Sequence, residues 1–420
     1  MNKLTADIYH KLRSTAIVAN FLNLGGIQIS NTLLLVLLIP IITRHVGLEK
    51  FGLIMFSSRF AQLAGTIVNY GTNQSGVRDV AAHSKSNDQL SRVFYNTLTI
   101  RFIVFVLVIL LIAGLKLFHL TYYNYLLLSV PMIAAEVINP LFFFIGMQKI
   151  KIFNVINLFS NAISLMVVYI IVKQQQHAGW VNFALGALSV LMYLGLWLYI
   201  RYKFYLSFYF SKKDDLQLIG KQNFYLTVNN ISVHLQQSII IFALTEWGST
   251  MLLGAYTLCD RIIGQCRNLL ITISNAVYPK AVSVYHHSIA QWQAYRRKMK
   301  YAIAAIFFCG SALLFFLADF IVFILSKEHN QTAATLLKIM AVVPTISALN
   351  VLNVLDQLLK NNNKAIFSIA LLLLFLSFII TYSLLRLNHI VLTGAFTVVI
   401  ETCALLMYEY VVNKTDLKNA

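Results

Sequence analysis

Residues 201–221, RYKFYLSFYFSKKDDLQLIGK, form the longest polar interruption in the middle of a 420-residue chain. On either side the sequence runs in apolar windows of roughly 20 residues, the length a helix needs to cross about 30 Å of hydrocarbon. Six windows precede it, near 15–42, 52–71, 95–115, 124–145, 153–172 and 180–200. Six follow, near 222–245, 251–278, 301–325, 333–357, 365–385 and 390–411. The chain therefore reads as an all-α polytopic membrane protein with about 12 transmembrane helices in two six-helix lobes. The N-terminal lobe is expected at 1–205, a cytoplasmic linker at 206–221 and the C-terminal lobe at 222–420.

Composition agrees, with 59% hydrophobic and 11% charged residues, where soluble domains carry about a quarter charged. A membrane β-barrel would show short alternating segments instead. The first window follows Lys3, Lys11 and Arg13, but it is too long for a signal peptide and lacks a small-residue cleavage site, so it is expected to persist as a helix. Cys259, Cys266, Cys309 and Cys403 lie inside apolar windows at no metal-ligand spacing. They read as buried packing thiols, and neither a metal nor a cofactor is expected.

The formal charge of +18, from 33 basic and 15 acidic residues, would suggest nucleic acid if it stood alone. Twelve spans with both termini in the cytoplasm explain it differently. They put 22 basic residues in inside segments, 6 in outside loops (Arg44, Lys50, Lys116, Lys173, Lys327, Arg386) and 5 within spans (Arg59, Arg101, Arg261, Arg267, Lys338). That asymmetry is the one that orients membrane proteins. Most of the charge is thus topology, no nucleic-acid partner is implied, and the basic loops suit anionic lipid headgroups.

Two weak matches point to an internal repeat. Gly52 precedes Arg59 by seven residues in the second span, as Gly254 precedes Arg261 in the eighth. Val130-Pro131-Met132-Ile133 in the fourth span matches Val343-Pro344-Thr345-Ile346 in the tenth. Halves with an even number of spans run the same way across the membrane, so the expected relation is a parallel pseudo-two-fold repeat with a path between the lobes.

Polar residues within spans are costly and therefore informative. Arg59, Gln62, Thr66, Asn69 and Asn73 follow at spacings of three and four, as on one helix face. Asn223, Thr227, Asn230, His234 and Gln237 repeat the pattern in the seventh span, and Thr257, Arg261, Gln265, Asn268, Thr272 and Asn275 in the eighth. Interhelical hydrogen bonding would account for single members; three stripes carrying arginines suggest a water-filled cavity. Arg59, Arg261 and Arg267 suit an anionic cargo, guanidinium being the group matched to phosphate. The candidate binding residues are therefore Arg59, Gln62, Asn69, Asn73, Asn230, His234, Gln237, Arg261, Gln265 and Arg267. Among the acids Glu136, Asp319, Asp356 and Glu401, read as buried, Glu136 between Pro131 and Pro140 is the leading proton-coupling candidate. Asp260 is the other, or else neutralises an arginine on a neighbouring helix.

No P-loop, HExxH, CxxC or serine nucleophile elbow occurs. Transport powered by ATP hydrolysis in this chain is excluded. A membrane glycosyltransferase or ligase would carry a sizeable outside loop, and every expected outside loop is short. The reading is a transporter, not an enzyme.

Pro40–Gly52 (PIITRHVGLEKFG), Asn69–Asp79 (NYGTNQSGVRD), Asn139–Lys149 (NPLFFFIGMQK) and Leu253–Tyr278 with Pro279-Lys280 resemble the Wzx-type polysaccharide flippases. These belong to the superfamily that also holds the multidrug and toxin extrusion transporters and the lipid II flippase. The resemblance is collinear over about residues 15–412 and strongest at Gly71, Asn73, Ser75 and Arg78. Asn69 and Gln148 stand where relatives carry acids, so the roles of those acids do not transfer. The resemblance implies a flippase for undecaprenyl-pyrophosphate-linked oligosaccharide in the bacterial inner membrane, serving O-antigen, capsule or exopolysaccharide synthesis. It also implies a cavity lined by spans one, two, seven and eight, and work alongside a polysaccharide polymerase and a chain-length regulator. The alternatives are a cation or drug antiporter of the extrusion class and a nontransporting scaffold for glycan-assembly enzymes.

Overall fold

The computed structural model describes residues 3–387 and 390–419, with side chains from residue 31 onward except 35, 276, 279, 286, 385–387, 390–392 and 416–419. Lys3, Lys11, Arg13, Pro279, Arg386 and Lys418, used above for orientation or resemblance, have side chains outside the described set. Among the described residues every regular element is helical. The N-terminal half holds α1 (Lys3–Asn69), α2 (Thr72–Ala82), α3 (Asn87–Leu115), α4 (Tyr123–Leu128), α5 (Val130–Ile138), α6 (Leu141–Gly146), α7 (Ile150–Ile171) and α8 (Trp180–Lys203). The C-terminal half holds α9 (Lys213–Trp247), α10 (Thr250–His287), α11 (Ile289–Phe316), α12 (Ala318–Ser326), α13 (Gln331–Met340), α14 (Val343–Leu359), α15 (Asn363–Leu387) and α16 (Ile390–Asn419).

Nine helical stretches among the described residues are long and apolar enough to cross a membrane. The difference from twelve has two causes. Residues 31–69 count once, yet 39 residues rise about 58 Å, far more than the hydrocarbon thickness. The run kinks at Gly47 (φ 76, ψ 166), backbone that only glycine adopts freely, and this kink separates the first two spans. The other cause is α9 and α10, which are long enough at 35 and 38 residues but have their hydropathy lowered by polar stripes. The fold is thus a twelve-span, two-lobe helical membrane protein. Large apolar side chains such as Phe159, Ile170, Leu110 and Leu191 stand outward and exposed, as lipid-facing side chains do.

The repeat is visible in the backbone. Gly52 and Gly254 touch across the lobe boundary: a Cβ on Gly52 would lie 2.7 Å from the Gly254 nitrogen, and one on Gly254 would lie 2.2 Å from the Leu48 carbonyl oxygen. Equivalent positions of two repeats meet only beside the axis that relates them, so the pseudo-two-fold passes here. Pro131 and Pro344 are equivalent too, each in the first turn of the helix that resumes a broken span, where its missing N–H costs nothing.

The inter-lobe connection is shorter than expected. The α9 helix starts at Lys213, with Asp214 and Asp215 in its first turn, where carboxylates meet the positive end of the helix dipole. Asp215 reaches back to the N-terminal lobe. It accepts from Arg92 through both oxygens (Nε to Oδ2 2.9 Å), from the Tyr209 hydroxyl at 2.9 Å and from Asn96 Nδ2 at 3.3 Å. The Arg92 hydrogen bond is the main cause that holds its carboxyl down at about 2.

Two thiol and acid expectations need correcting. Cys259 is buried, but Cys309 is exposed, on the lipid-facing side of α11. Asp319 is not buried either: its side chain is 65% exposed and pairs with Lys338 at 2.7 Å.

Two outcomes follow. Gly254→Ala should lower the stability of the purified protein by about 1–3 kcal/mol, read as a lower thermal midpoint, whereas Gly195→Ala, where a Cβ meets nothing within 4 Å, should not. The Asp215 tie has a folded value below the unfolded value of about 3.9. Its contribution is therefore full above that value and lost as pH falls towards about 2. Protection of the 204–218 amides, taken relative to their intrinsic exchange rate at each pH, should fall over that acid range, and Asp215→Asn should remove the dependence.

Candidate functional site

Two adjoining features sit where the lobes meet: a line of charges between α1, α10 and α16, and a polar cavity between α1, α2, α5 and α9. In the first, Arg59 of α1 pairs with Asp260 of α10. Both side chains are largely buried, at 13% and 6% exposure, so the ion pair joins the lobes inside the protein. Arg261 crosses the same boundary the other way, donating from Nη2 to Ser58 Oγ at 3.0 Å and directing Nε to Met55 Sδ at 3.2 Å. Six residues further along α10, Arg267 faces Glu401 of α16 at 2.8 Å. Three guanidinium groups against two carboxylates leave one net positive charge.

The cavity has a volume of about 400 Å³ and is lined by Gln62, Thr66, Asn69, Asn73, Gln74, Glu136, Asn230 and His234, with Ala61, Gly65 and Met132. Gly65 admits Glu136: a Cβ there would lie 2.9 Å from Glu136 Cγ. The Glu136 carboxylate accepts from Asn139 Nδ2 at 3.2 Å.

The stripes are only partly continuous. The α1 helix stops at Asn69, and Tyr70 and Gly71 take left-handed φ values of 49° and 69°, so Asn73 belongs to the next helix and not to one unbroken face. It stays beside Asn69 because its backbone N–H donates to Asn69 Oδ1 at 3.0 Å. In α9, Asn223 and Thr227 are buried, Asn223 donating to Ser75 at 2.9 Å. Asn230 and His234 reach the cavity, whereas Gln237 is exposed and does not line it. In α10, Gln265 accepts from the Thr32 hydroxyl of α1 at 2.8 Å, and Asn275 is exposed.

Of the twelve residues singled out above, the structure brings Gln62, Asn69, Asn73, Glu136, Asn230 and His234 to one cavity. Arg59, Asp260, Arg261 and Arg267 instead form the charge line beside it. Sequence reasoning missed Gln74, which follows the α1–α2 break, and gave no role to Arg101, which is fully buried. The Gly-containing Tyr70–Asn73 turn was the available signal for the break. No cluster of three His, Cys, Asp or Glu that could hold a metal occurs among the described residues.

Residues 17–284 match the family described as "Polysaccharide biosynthesis protein". The chain belongs to that family. It is 20% identical over 355 residues to a protein of Escherichia coli (strain K12) named "Putative O-antigen transporter", covering 83% of this chain and 85% of that one. A Shigella dysenteriae protein of the same name is 24% identical over 343 residues, covering 78% and 83%. Among solved structures, an inward-facing multidrug resistance MATE family transporter of the MOP superfamily superposes with a TM-score of 0.75 at 12% identity, covering 93% of this chain and 96% of that one. A MOP superfamily transporter from Pyrococcus furiosus gives 0.66 at 14% identity, covering 94% of each. These likenesses show the fold and its two lobes.

The inter-lobe ion pair gives a direct test. Arg59→Ala or Asp260→Ala strands a buried charge and should destabilise the protein by about 3–5 kcal/mol. The combined exchange Arg59→Asp with Asp260→Arg should recover most of that loss in thermal unfolding, because each variant then has its partner.

Proposed function

We propose that this protein is a flippase that moves undecaprenyl-pyrophosphate-linked oligosaccharide from the cytoplasmic to the outer leaflet of the bacterial inner membrane. The observation that carries the reading is the pairing of two features at the lobe boundary: a net positive charge among Arg59, Asp260, Arg261, Arg267 and Glu401, beside a cavity lined by amides, a hydroxyl, an imidazole and the Glu136 carboxyl group. A pyrophosphate-linked sugar needs both. Its headgroup cannot cross about 30 Å of hydrocarbon unless fixed donors replace its hydration, and guanidinium suits the phosphates. Arg59 and Arg261 would receive the pyrophosphate, the cavity would hold the sugar, and the prenyl tail would stay in lipid.

The architecture supports an alternating-access mechanism. The lobes touch backbone to backbone at Gly52, just past the Gly47 kink of α1, and Gly254, in the first turns of α10, while the cavity lies on the other side of the Arg59–Asp260 pair. Rocking about the pseudo-two-fold would open one side as it closed the other. A polymerase and a chain-length regulator would take up the product.

The second reading, a cation or drug antiporter, is favoured by the likeness to MATE structures and by Glu136 in the cavity. A cation site would need a net negative boundary, and here the charge line is net positive. Double substitution Arg59→Lys, Arg261→Lys, which keeps a cation beside Asp260, should weaken export, and the double alanine variant should abolish surface glycan per molecule of folded protein and leave lipid-linked oligosaccharide on the cytoplasmic face. Full glycan display by the double alanine variant would overturn the assignment; restored drug resistance without glycan export would support the antiporter.

A further inference from the structure

Arg101 of α3 is fully buried within a membrane span, yet among the described residues no carboxylate forms an ion pair with it. Its guanidinium instead stitches two helix breaks together. Nε donates to Thr72 Oγ1 at 2.7 Å and Nη2 to Asn73 Oδ1 at 3.1 Å, at the start of α2. Nη1 donates to the Asn139 carbonyl at 2.8 Å and to the Glu136 carbonyl at 3.2 Å, at the end of α5. The ring of Phe142 lies 5.0 Å from the guanidinium carbon.

Each bond has a specific reason. In a regular helix the Glu136 carbonyl would accept from the residue four positions on, which is Pro140 and has no N–H. Arg101 supplies the missing donor and so holds the backbone of Glu136, whose carboxylate enters the cavity. The second consequence concerns Asn73. Guanidinium only donates, so the Asn73 oxygen must face Arg101 and its Nδ2 must face the other way. Among the described residues Nδ2 has no hydrogen-bond partner, and Asn73 lines the cavity. One buried cation thus sets two groups on one cavity wall, a fixed amide donor and a carboxylate acceptor.

We propose that Arg101 is a positioning residue, and that the Asn73 amide and Glu136 carboxylate it holds form a subsite for neighbouring sugar hydroxyls. A hydroxyl both donates and accepts, so a pair of them matches a donor beside an acceptor, whereas a phosphate, which only accepts, is repelled by the carboxylate. The inference rests on the reading of the cargo as sugar-bearing, and it separates the sugar end from the pyrophosphate end at Arg59 and Arg261.

The test uses the full-length protein in lipid nanodiscs and two probes. One is the free oligosaccharide released by mild acid from the producing strain's lipid-linked pool; the other is polyprenyl pyrophosphate without sugar. Asn73→Asp keeps an oxygen facing Arg101 but replaces the inward donor with an acceptor. It should fold with an unchanged thermal midpoint, bind the oligosaccharide about tenfold more weakly and bind polyprenyl pyrophosphate as the wild type does. Arg101→Lys should show the same split, with Asn73→Asp decisive if the lysine variant does not fold. Wild-type oligosaccharide binding by a folded Asn73→Asp protein would overturn the subsite, as would equal loss of both probes, which would leave Arg101 a purely structural role. A wild-type protein that binds the pyrophosphate but not the oligosaccharide would also overturn the subsite while sparing the proposed function. Binding of neither probe would overturn both.

Discussion

In hydrocarbon an interrupted helix has no water to satisfy its freed backbone groups, so every break must be answered by another part of the protein. That constraint organises the cavity. The chain breaks after Asn69 and again at Asn139-Pro140, and both breaks lie within reach of Arg101. Side chains of Thr72, Asn69 and Asn139 supply further partners, to the Asn69 carbonyl and to the Asn73 and Leu141 N–H groups. The breaks in turn let polar side chains from α1, α2 and α5 converge on one space, which a pair of uninterrupted helices would not do. These two stretches of irregular backbone therefore lie where protein surrounds them and a polar cavity adjoins them.

The legibility of this arrangement in the sequence was uneven, for physical reasons. Twelve spans and the repeat could be read because hydropathy and spacing are local properties, and Gly52 and Gly254 could be paired by their distance to Arg59 and Arg261. That the two glycines touch is a tertiary fact no spacing encodes. The stripe through Asn73 was read as one face because periodicity continues through a break: the left-handed turn at Tyr70-Gly71 removes helix but returns the chain to the same side. Gln237 fell outside the cavity for a related reason, since α9 is long enough that its last polar position passes beyond the cavity wall. Arg101 was invisible as a site residue because its hydrogen-bond partners come from two segments on either side of it, up to 38 positions away, and a lone arginine in an apolar span carries no pattern.

The same local bias explains why α9 and α10 fail a hydropathy criterion that ordinary spans pass. A helix that faces lipid on one side and a polar space on the other averages to an unremarkable value, so the spans that matter most for function are the least evident as spans. Their length, their position between clear spans and their stripes identify them together.

The charge line sets a condition on how the proposed cargo could be handled. Asp260 already occupies Arg59 with an internal anion, and an incoming phosphate would compete for the same guanidinium. Phosphate capture and the ion pair that joins the lobes cannot both be at full strength. If phosphate displaces it, Asp260 becomes a buried carboxylate whose nearest remaining counter-charges lie on α10 itself, at Arg261 and Arg267, the latter shared with Glu401. The anion that binds would thus loosen the boundary beside the Gly52–Gly254 contact. The acid in the cationic site is thus no contradiction of the proposed anionic cargo: it would hold the boundary closed until a competing anion arrived.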